Sequence, residues 1–334
     1  MVIVLGIEST AHTFGVGLVR DEAPYIISDV RENYLPEKGG IHPREAALFF
    51  MDRAPQAIAR ALKSSSLGIE SIDAVAVALG PGLGPCLRVG ATIARALATY
   101  FNKPLVPVNH AVAHIEIGKL VTNAKDPLVV YLSGGNTLIA ALISGRYRIF
   151  GETLDIALGN FMDTFVREVG LAPPYVVNGV HQLDRCAEKG RRILNLPYVV
   201  KGQDVSFSGL LTAALRMYRE GRADLEDICH SVREIAYSAI VEVTERGLAH
   251  TGKNEVLVVG GVAASKYLRE KFELMTKSRN CELYVVPPKY AVDNGVMIAW
   301  TGLLNLKHGI TIEPEEAYVK QRWRLDQVDI PWSK

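Results

Sequence analysis

At 334 residues the chain has room for two domains, or for one domain built in two lobes. Its 49% hydrophobic and 22% charged residues supply a large core and exclude a disordered or fibrous protein. Lys plus Arg is 37 against 36 Asp plus Glu, a formal net charge of +1, so no global field draws the chain to nucleic acid.

In chain order, Met1 to Gly6 has no basic region or cleavage site, and residues 2–7 read as a first strand. A polar connection, 8–13, leads to a second strand at 14–19 that is rich in Gly and Val. A helical pattern covers 44–62, with Pro55 expected to split or kink it. A strand at 72–79 follows, then a helix at 87–101 with Leu87, Ala91, Ala94 and Leu97 on one face. The polar stretch 122–127 ends in Asp-Pro and marks a lobe boundary. Beyond it, the strand 128–132, the turn Ser133-Gly134-Gly135-Asn136 and the strand 137–143 repeat the opening arrangement, with a further turn into 147–150. The two units are a domain's length apart, which reads as a structural duplication; two unrelated hairpins are the alternative. Last, the buried strand 256–259 breaks at Gly260-Gly261 before a helix at 263–275. Strands alternating with helices define an α/β chain. Lobes of 1–122 and 123–306 are expected, with 307–334 packing back on the first.

Cys86, Cys186, Cys229 and Cys281 are far apart, form no CxxC and read as buried thiols of a reduced compartment. No apolar run reaches the roughly 20 residues of a membrane helix, so a soluble cytoplasmic protein is expected.

Several groups carry potential chemistry. The turns at 9–13 and 133–137 offer backbone N–H groups and small hydroxyls, which suits a phosphate; Ser9, Thr10, His12, Thr13 and Asn136 are phosphate-side candidates. Strand, Gly260-Gly261, helix likewise lets a ring or phosphate approach a helix start, although it matches neither GxGxxG nor Walker A. His110 and His114 are four apart, so on a helix both imidazoles share one face about 6 Å apart along the axis and can share one metal; two core histidines are the alternative. Ala111 stands where HExxH requires Glu, which weakens a protease reading. Tyr131, Asp155, Asp163 and Asp293 are the oxygen candidates to complete such a site, and an oxygen-rich set suits iron, zinc or manganese. Asp163 is placed on a helix where Gly159 clears space one turn before it, within reach of a ribose hydroxyl; a surface aspartate is the alternative. The loop 80–85 (GPGLGP) precedes a helix and is either a ligand contact or structural. Basic residues gather at Arg185, Lys189, Arg191, Arg192 and Lys201, at Arg216, Arg219 and Arg222, and at Lys320, Arg322 and Arg324, as solvated faces or as RNA contacts.

Taken together, residues 5–17 (LGIESTAHTFGVG), 39–47 (GGIHPREAA), 80–84 (GPGLG), 108–116 (VNHAVAHIE), 131–137 (YLSGGNT), 151–157 (GETLDIA), 207–214 (FSGLLTAA), 260–264 (GGVAA), 293–299 (DNGVMIA) and 321–324 (QRWR) closely resemble the tRNA threonylcarbamoyladenosine transferase family. The resemblance is to its archaeal and eukaryotic branch, the catalytic subunit of the KEOPS complex, and it covers almost the whole chain. It implies an actin/hexokinase-like (ASKHA) fold of two duplicated lobes with the nucleotide in the interlobe cleft. It also implies transfer of a threonylcarbamoyl group from threonylcarbamoyl-AMP to N6 of the adenosine beside the anticodon in tRNAs reading ANN codons, with release of AMP. ATP or AMP is implied as the cleft ligand.

By the same resemblance one divalent metal, iron or zinc, is held by His110, His114, Tyr131 and Asp293. The phosphate-binding turn maps onto Tyr131, Leu132, Ser133, Gly134 and Gly135, and the ribose-facing aspartate onto Asp163. Gly260 and Gly261 fall on the nucleotide side as well. The chain departs from the family at Asn178-Gly179-Val180-His181, which replaces Pro-Gly-Gly-Pro, at Asp184 for a glutamate and at Ser265 for an asparagine; Val180, Asp184 and Ser265 keep the nucleotide-side assignment. Phe49-Phe50 replaces a histidine pair. The implied partners are tRNA, a small atypical protein kinase and a small dimerising subunit, with no membrane. The competing readings are an ATP-dependent kinase of the same superfamily, a nucleotide-sensing scaffold, and a metalloprotease, an older name for the family.

Overall fold

The computed structural model describes residues 1–36 and 40–333 and divides into two compact units, Met1–Ile117 with Val292–Lys334, and Gly118–Ala291. Gly39 of the 39–47 motif and Lys334 at the end of the 307–334 segment lie outside the described residues.

In the first unit β1 (Ile3–Glu8), β2 (Thr13–Arg20) and β3 (Ile26–Asn33) form an antiparallel meander. The helix α1 (Pro43–Ser65) leads through β4 (Ala74–Gly80), α2 (Gly84–Tyr100) and β5 (Leu105–Asn109) to α3 (His110–Thr122). β4 pairs parallel to β1, and β5 parallel to β4, giving the order β3-β2-β1-β4-β5. Phe14, Phe50, Val77 and Ala94 meet in one core, with the Phe14 and Phe50 rings 5.8 Å apart. Burying each such aromatic is worth about 1.5–3 kcal/mol. Pro55 lies inside α1 without ending it.

The second unit repeats the plan. β6 (Leu128–Leu132), β7 (Thr137–Ile143) and β8 (Arg146–Glu152) form its meander, and the Ser144-Gly145 corner has φ of 50° and 77°, as a type I′ hairpin requires. Then come α4 (Leu158–Glu168), the hairpin β9 (Val176–Val177) and β10 (Val180–His181), and α5 (Gln182–Ala187). A second small hairpin, β11 (Val200–Lys201) and β12 (Asp204–Val205), precedes α6 (Ser208–Arg219) and the long α7 (Leu225–Thr251). The unit closes with β13 (Glu255–Val259), α8 (Lys266–Ser278), β14 (Glu282–Val285) and the short α9 (Pro288–Ala291). Its sheet runs β14-β13-β6-β7-β8, which read backwards is the first sheet's order, with three antiparallel strands followed by two parallel ones. The duplication therefore extends beyond the two hairpins visible in the sequence.

The chain then returns to the first unit in α10 (Gly295–Lys307). A lobe boundary at 306 places this helix on the wrong side, because α10 packs directly on the backbones of β1 and β2. A Cβ on Gly6 would come within 2.2 Å of the Ala299 nitrogen, and one on Gly17 within 2.2 Å of the Val296 nitrogen. The Gly-rich character of the second strand is this close approach.

The cysteine reading needs one correction. Cys186 on α5 and Cys229 on α7 form a disulfide, their Cα atoms 5.9 Å apart. Two helices packed side by side bring together residues 43 positions apart, a juxtaposition absent from any local spacing. Cys86 and Cys281 are free thiols, and burial pushes Cys86 up to about 11.

Candidate functional site

α3 starts where Asn109 ends β5. The Asn109 side-chain oxygen accepts from the Ala111 and Val112 nitrogens at 3.0 and 3.1 Å, and its amide donates to the Trp323 carbonyl at 3.1 Å. This cap holds His110 in the first turn and His114 one turn on, both buried, with ring centroids 4.7 Å apart. Asp293 is set by the buried Asn294, whose side-chain oxygen caps α10 at the Met297 nitrogen (2.8 Å) and whose amide donates to the Val292 carbonyl (2.8 Å). Because α10 rests on glycine backbone, its start reaches the histidines. Asp293 Oδ1 lies 3.2 Å from His114 Nε2 and 3.6 Å from His110 Nε2.

One ligand atom each from His110, His114 and Asp293 falls within 4.8 Å of the others, a two-nitrogen, one-oxygen set able to hold a metal ion. Beneath it sits a residue that spacing did not reveal. Glu8, fully buried at the end of β1, has Oε2 2.9 Å from His110 Nδ1, while Oε1 accepts from the Thr10 nitrogen at 2.6 Å. A carboxylate on the far ring nitrogen fixes the tautomer that turns Nε2 toward a metal. Its one sequence signal is an acidic residue inside an otherwise apolar strand. Burial alone would push His110 down, but the Glu8 and Asp293 carboxylates raise it to about 9. Burial lowers His114. Asp293 is held below the usual carboxylate range, against its burial, by the His110 charge and the His114 N–H.

The other candidates in the 8–13 turn face inward. Ser9 is buried against Gly90, where a Cβ would come within 2.1 Å of its hydroxyl. The Thr10 hydroxyl lies 3.3 Å from His110 Nδ1, and the Thr13 hydroxyl donates to the Asn33 side chain at 3.0 Å. The Thr10 and Thr13 hydroxyls are held by protein partners, the Ser9 hydroxyl is buried without one, and His12 is the exposed residue of the set. The 80–85 loop is structural: a Cβ on Gly80 would meet the Lys320 carbonyl at 1.9 Å, and the Gly82 nitrogen donates to the Gln321 carbonyl. The 321–324 motif is thereby the brace of that loop. Phe50 is core, and the Phe49 ring packs tilted against Tyr34, 5.9 Å between centroids.

The second unit holds the remaining residues. Tyr131 and Leu132 are buried at the end of β6. In the turn beyond, the Ser133 hydroxyl accepts from the Asn136 nitrogen at 3.0 Å, while Gly134 and Gly135 are exposed with open space where a Cβ would sit. Gly159 makes room for this turn and not for Asp163, since a Cβ there would come within 2.7 Å of the Ser133 carbonyl. Asp155 is committed elsewhere. It accepts from the Ser206 hydroxyl and from the Phe207 and Ser208 nitrogens; desolvation raises it, but these donors outweigh that and hold it below the usual carboxylate range. It caps the start of α6.

Asp163, half-exposed on α4, meets His181 Nε2 at 3.0 Å. Val180, beside it on β10, is exposed. Asp184 is buried and hydrogen-bonded to the Tyr237 hydroxyl (3.1 Å); burial raises it, opposed by the nearby Ser265 hydroxyl, the Arg233 charge and the Tyr237 hydroxyl. Ser265 also caps α8 at the Leu268 nitrogen (3.3 Å), so the helix expected from 263 begins at Lys266, after a single turn at Gly261–Ala264. Gly260 has φ of 91°, and a Cβ there would strike the Leu132 carbonyl at 2.3 Å. Of the basic residues, Arg192 pairs with Asp227, Arg219 with Glu168 and Arg222 with Glu220.

Two five-stranded sheets of one order place the chain in the actin/hexokinase-like fold class. Among solved structures, HypF of T. kodakarensis superposes with a TM-score of 0.62 at 16% identity, covering 93% of this chain and 48% of that one. Component A of the Acidaminococcus fermentans (R)-2-hydroxyglutaryl-CoA dehydratase gives 0.54 at 12% identity, covering 90% and 98%. At such identities the likeness is one of fold. The particular family comes from sequence. The model of the TsaD family, tRNA N6-adenosine threonylcarbamoyltransferase, matches residues 25–300. Curated proteins of that name are 61% identical in Hyperthermus butylicus, over 99% of this chain and 92% of the relative, and 58% identical in Aeropyrum pernix, over 99% and 95%. The chain belongs to the tRNA N6-adenosine threonylcarbamoyltransferase family and is a transferase.

Proposed function

We propose that the chain transfers the threonylcarbamoyl group of threonylcarbamoyl-AMP to N6 of the adenosine next to the anticodon, in tRNAs that read ANN codons. The N6 amine attacks the carbamoyl carbon, the bond from that carbon to the phosphate oxygen breaks, AMP leaves as the anion, and the amine gives up one proton. The difficulty lies in the charge that gathers on the carbamoyl oxygen and the phosphate.

The single observation that carries the reading is the set of buried His110 and His114 with half-buried Asp293, braced by Glu8. Its donors suit a divalent ion, iron or zinc, and these three residues of the first unit would hold it. When bound, such an ion supplies Lewis acidity worth several kcal/mol to developing negative charge. The protein's own part is orientation. Glu8 keeps His110 in one tautomer, and Asn294 keeps Asp293 at the start of α10. In the second unit the open backbone of Gly134 and Gly135 suits a phosphate, and the half-exposed Asp163 suits a ribose hydroxyl. Buried Asp184 and Tyr237, with the half-buried Ser265, support the nucleotide side from beneath.

The partners follow from charge and chemistry. With a net charge of +1, tRNA affinity is drawn in part from other subunits, and the KEOPS assembly with its small atypical kinase and dimerising subunit fits the resemblance. A tRNA substrate points to the cytoplasm, and no described helix is long and apolar enough to cross a membrane.

The test supplies threonylcarbamoyl-AMP, unmodified tRNA and the partner subunits, and reads modified adenosine by mass spectrometry alongside elemental analysis of the protein. His110→Ala with His114→Ala should lose the metal and roughly 10²–10⁴ in rate, the fold-change that several kcal/mol represents. Undiminished transfer by the metal-free double variant would defeat the metal reading.

A further inference from the structure

The β9–β10 hairpin turns through Asn178 and Gly179, at φ of 52° and 77°, the two positive values of a type I′ corner. Its tight return delivers His181 to the start of α5, where it serves as the helix cap. The two ring nitrogens then have different partners. Nδ1 accepts from the Leu183 nitrogen at 3.1 Å, and Nε2 lies 3.0 Å from Asp163 Oδ1. A neutral imidazole carries one proton, and with Nδ1 accepting, that proton resides on Nε2. Nε2 is therefore a donor, aimed at one of the two Asp163 oxygens. The ring is itself held, with only 15% of its side chain exposed against 43% for Asp163. α4 cannot readily shift beneath the carboxylate, because Phe161, Met162, Phe165 and Val166 are buried in the unit's core.

We propose that His181 is a positioning residue, which orients the Asp163 carboxylate toward a nucleotide's sugar hydroxyl because its other nitrogen is tied to the start of α5. The proposal rests on the reading of Asp163 as the sugar-facing residue. Helix capping and sugar recognition thus share one side chain. The same cap fixes the first turn of α5, where Asp184 bonds Tyr237 at 3.1 Å.

The experiment measures binding of AMP and of 2′,3′-dideoxy-AMP to the full-length chain by calorimetry, with the melting temperature recorded for each variant. His181→Asn keeps an oxygen for the Leu183 N–H but is too short to reach Asp163. It should weaken AMP by about 5–10-fold, leave dideoxy-AMP unchanged and hold the melting temperature. In turnover the loss should appear in KM for threonylcarbamoyl-AMP more than in kcat. His181→Gln places an amide donor near the Nε2 position and should recover most of the AMP affinity. Asp163→Ala should abolish the preference for AMP and make His181→Asn silent in its background.

If Asp163→Ala leaves the AMP preference intact, the sugar-facing reading falls and this proposal with it. If Asp163→Ala weakens AMP but His181→Asn binds as wild type, the proposal alone is overturned. Equal weakening of AMP and dideoxy-AMP by His181→Asn also overturns it, because the effect would not pass through the sugar. Should His181→Asn prove unstable, a His181→Gln protein that binds AMP no better than Asp163→Ala overturns it equally.

Discussion

The two sheets share a strand order, yet the turn between their first two strands does opposite things. In the first unit the 8–13 turn is packed with side chains: Glu8 reaches His110, Ser9 abuts Gly90 and Thr13 bonds Asn33. In the second unit the 133–136 turn has Gly134 and Gly135 exposed, with nothing within 4 Å of where a Cβ would lie. One copy of the fold has turned its corner into a support for the His110 and His114 pair; the other keeps a bare backbone corner. Equivalent topology therefore does not imply equivalent chemistry, because function is set by which side chains the corner carries.

That contrast makes opposite predictions for glycines of the two units. Gly17→Ala puts a methyl 2.2 Å from the Val296 nitrogen, where backbone on both sides cannot yield. It should cost about 3 kcal/mol or more and displace the start of α10, seen as a lowered melting temperature together with lost metal. A stable, metal-replete Gly17→Ala protein would mean that α10 does not set Asp293.

Glu8 comes next. Removing its support should lower metal affinity about 10–100-fold, with Glu8→Gln at the low end because an amide oxygen still accepts from His110, and Glu8→Ala at the high end. Competition with a chelator of known affinity measures both, and affinities equal to wild type would remove Glu8 from the site.

Gly135→Ala should change stability by no more than about 0.5 kcal/mol, since its Cβ enters open space, while weakening nucleotide binding if the corner holds a phosphate. Heat denaturation and AMP titration separate the two effects. A large stability loss would erase the contrast with Gly17.

The smallest effect concerns acid stability in the second unit. The Arg191 N–H, the Arg192 guanidinium and the Arg192 N–H lower Asp227 from 3.8 to about 2. A carboxyl lowered in the folded state contributes stability that is complete above its ordinary value and is lost as pH falls through the folded one. The stability difference between wild type and Asp227→Asn should thus be steady above about pH 4 and shrink toward pH 2. A difference that does not change over this range would contradict the pairing.

Some of this was legible without coordinates. The His110–His114 pair depends only on helical spacing, and the strand–turn–strand units at 2–19 and 128–143 only on local alternation and turn residues. Other elements were not. β3 is an edge strand whose IISDVREN sequence mixes charge into its pattern, and α7 buries residues around most of its circumference, so neither shows a clean period. In α2 the face of Leu87, Ala91 and Ala94 is buried as its spacing predicts, Leu97 packs on the same core half-buried, and packing also buries Ala98.

What the sequence determined by itself was local: which segments become strands, corners and caps, and which residues stand one helical turn apart. Tertiary structure alone decided that Glu8 would stand behind His110, 102 positions away, that Asp184 would meet Tyr237, 53 away, and that Cys186 would find Cys229. The physical reason is that periodicity encodes which face of an element is buried. Which distant element covers that face is settled only when backbones pack, as α10 does on the glycines of β1 and β2.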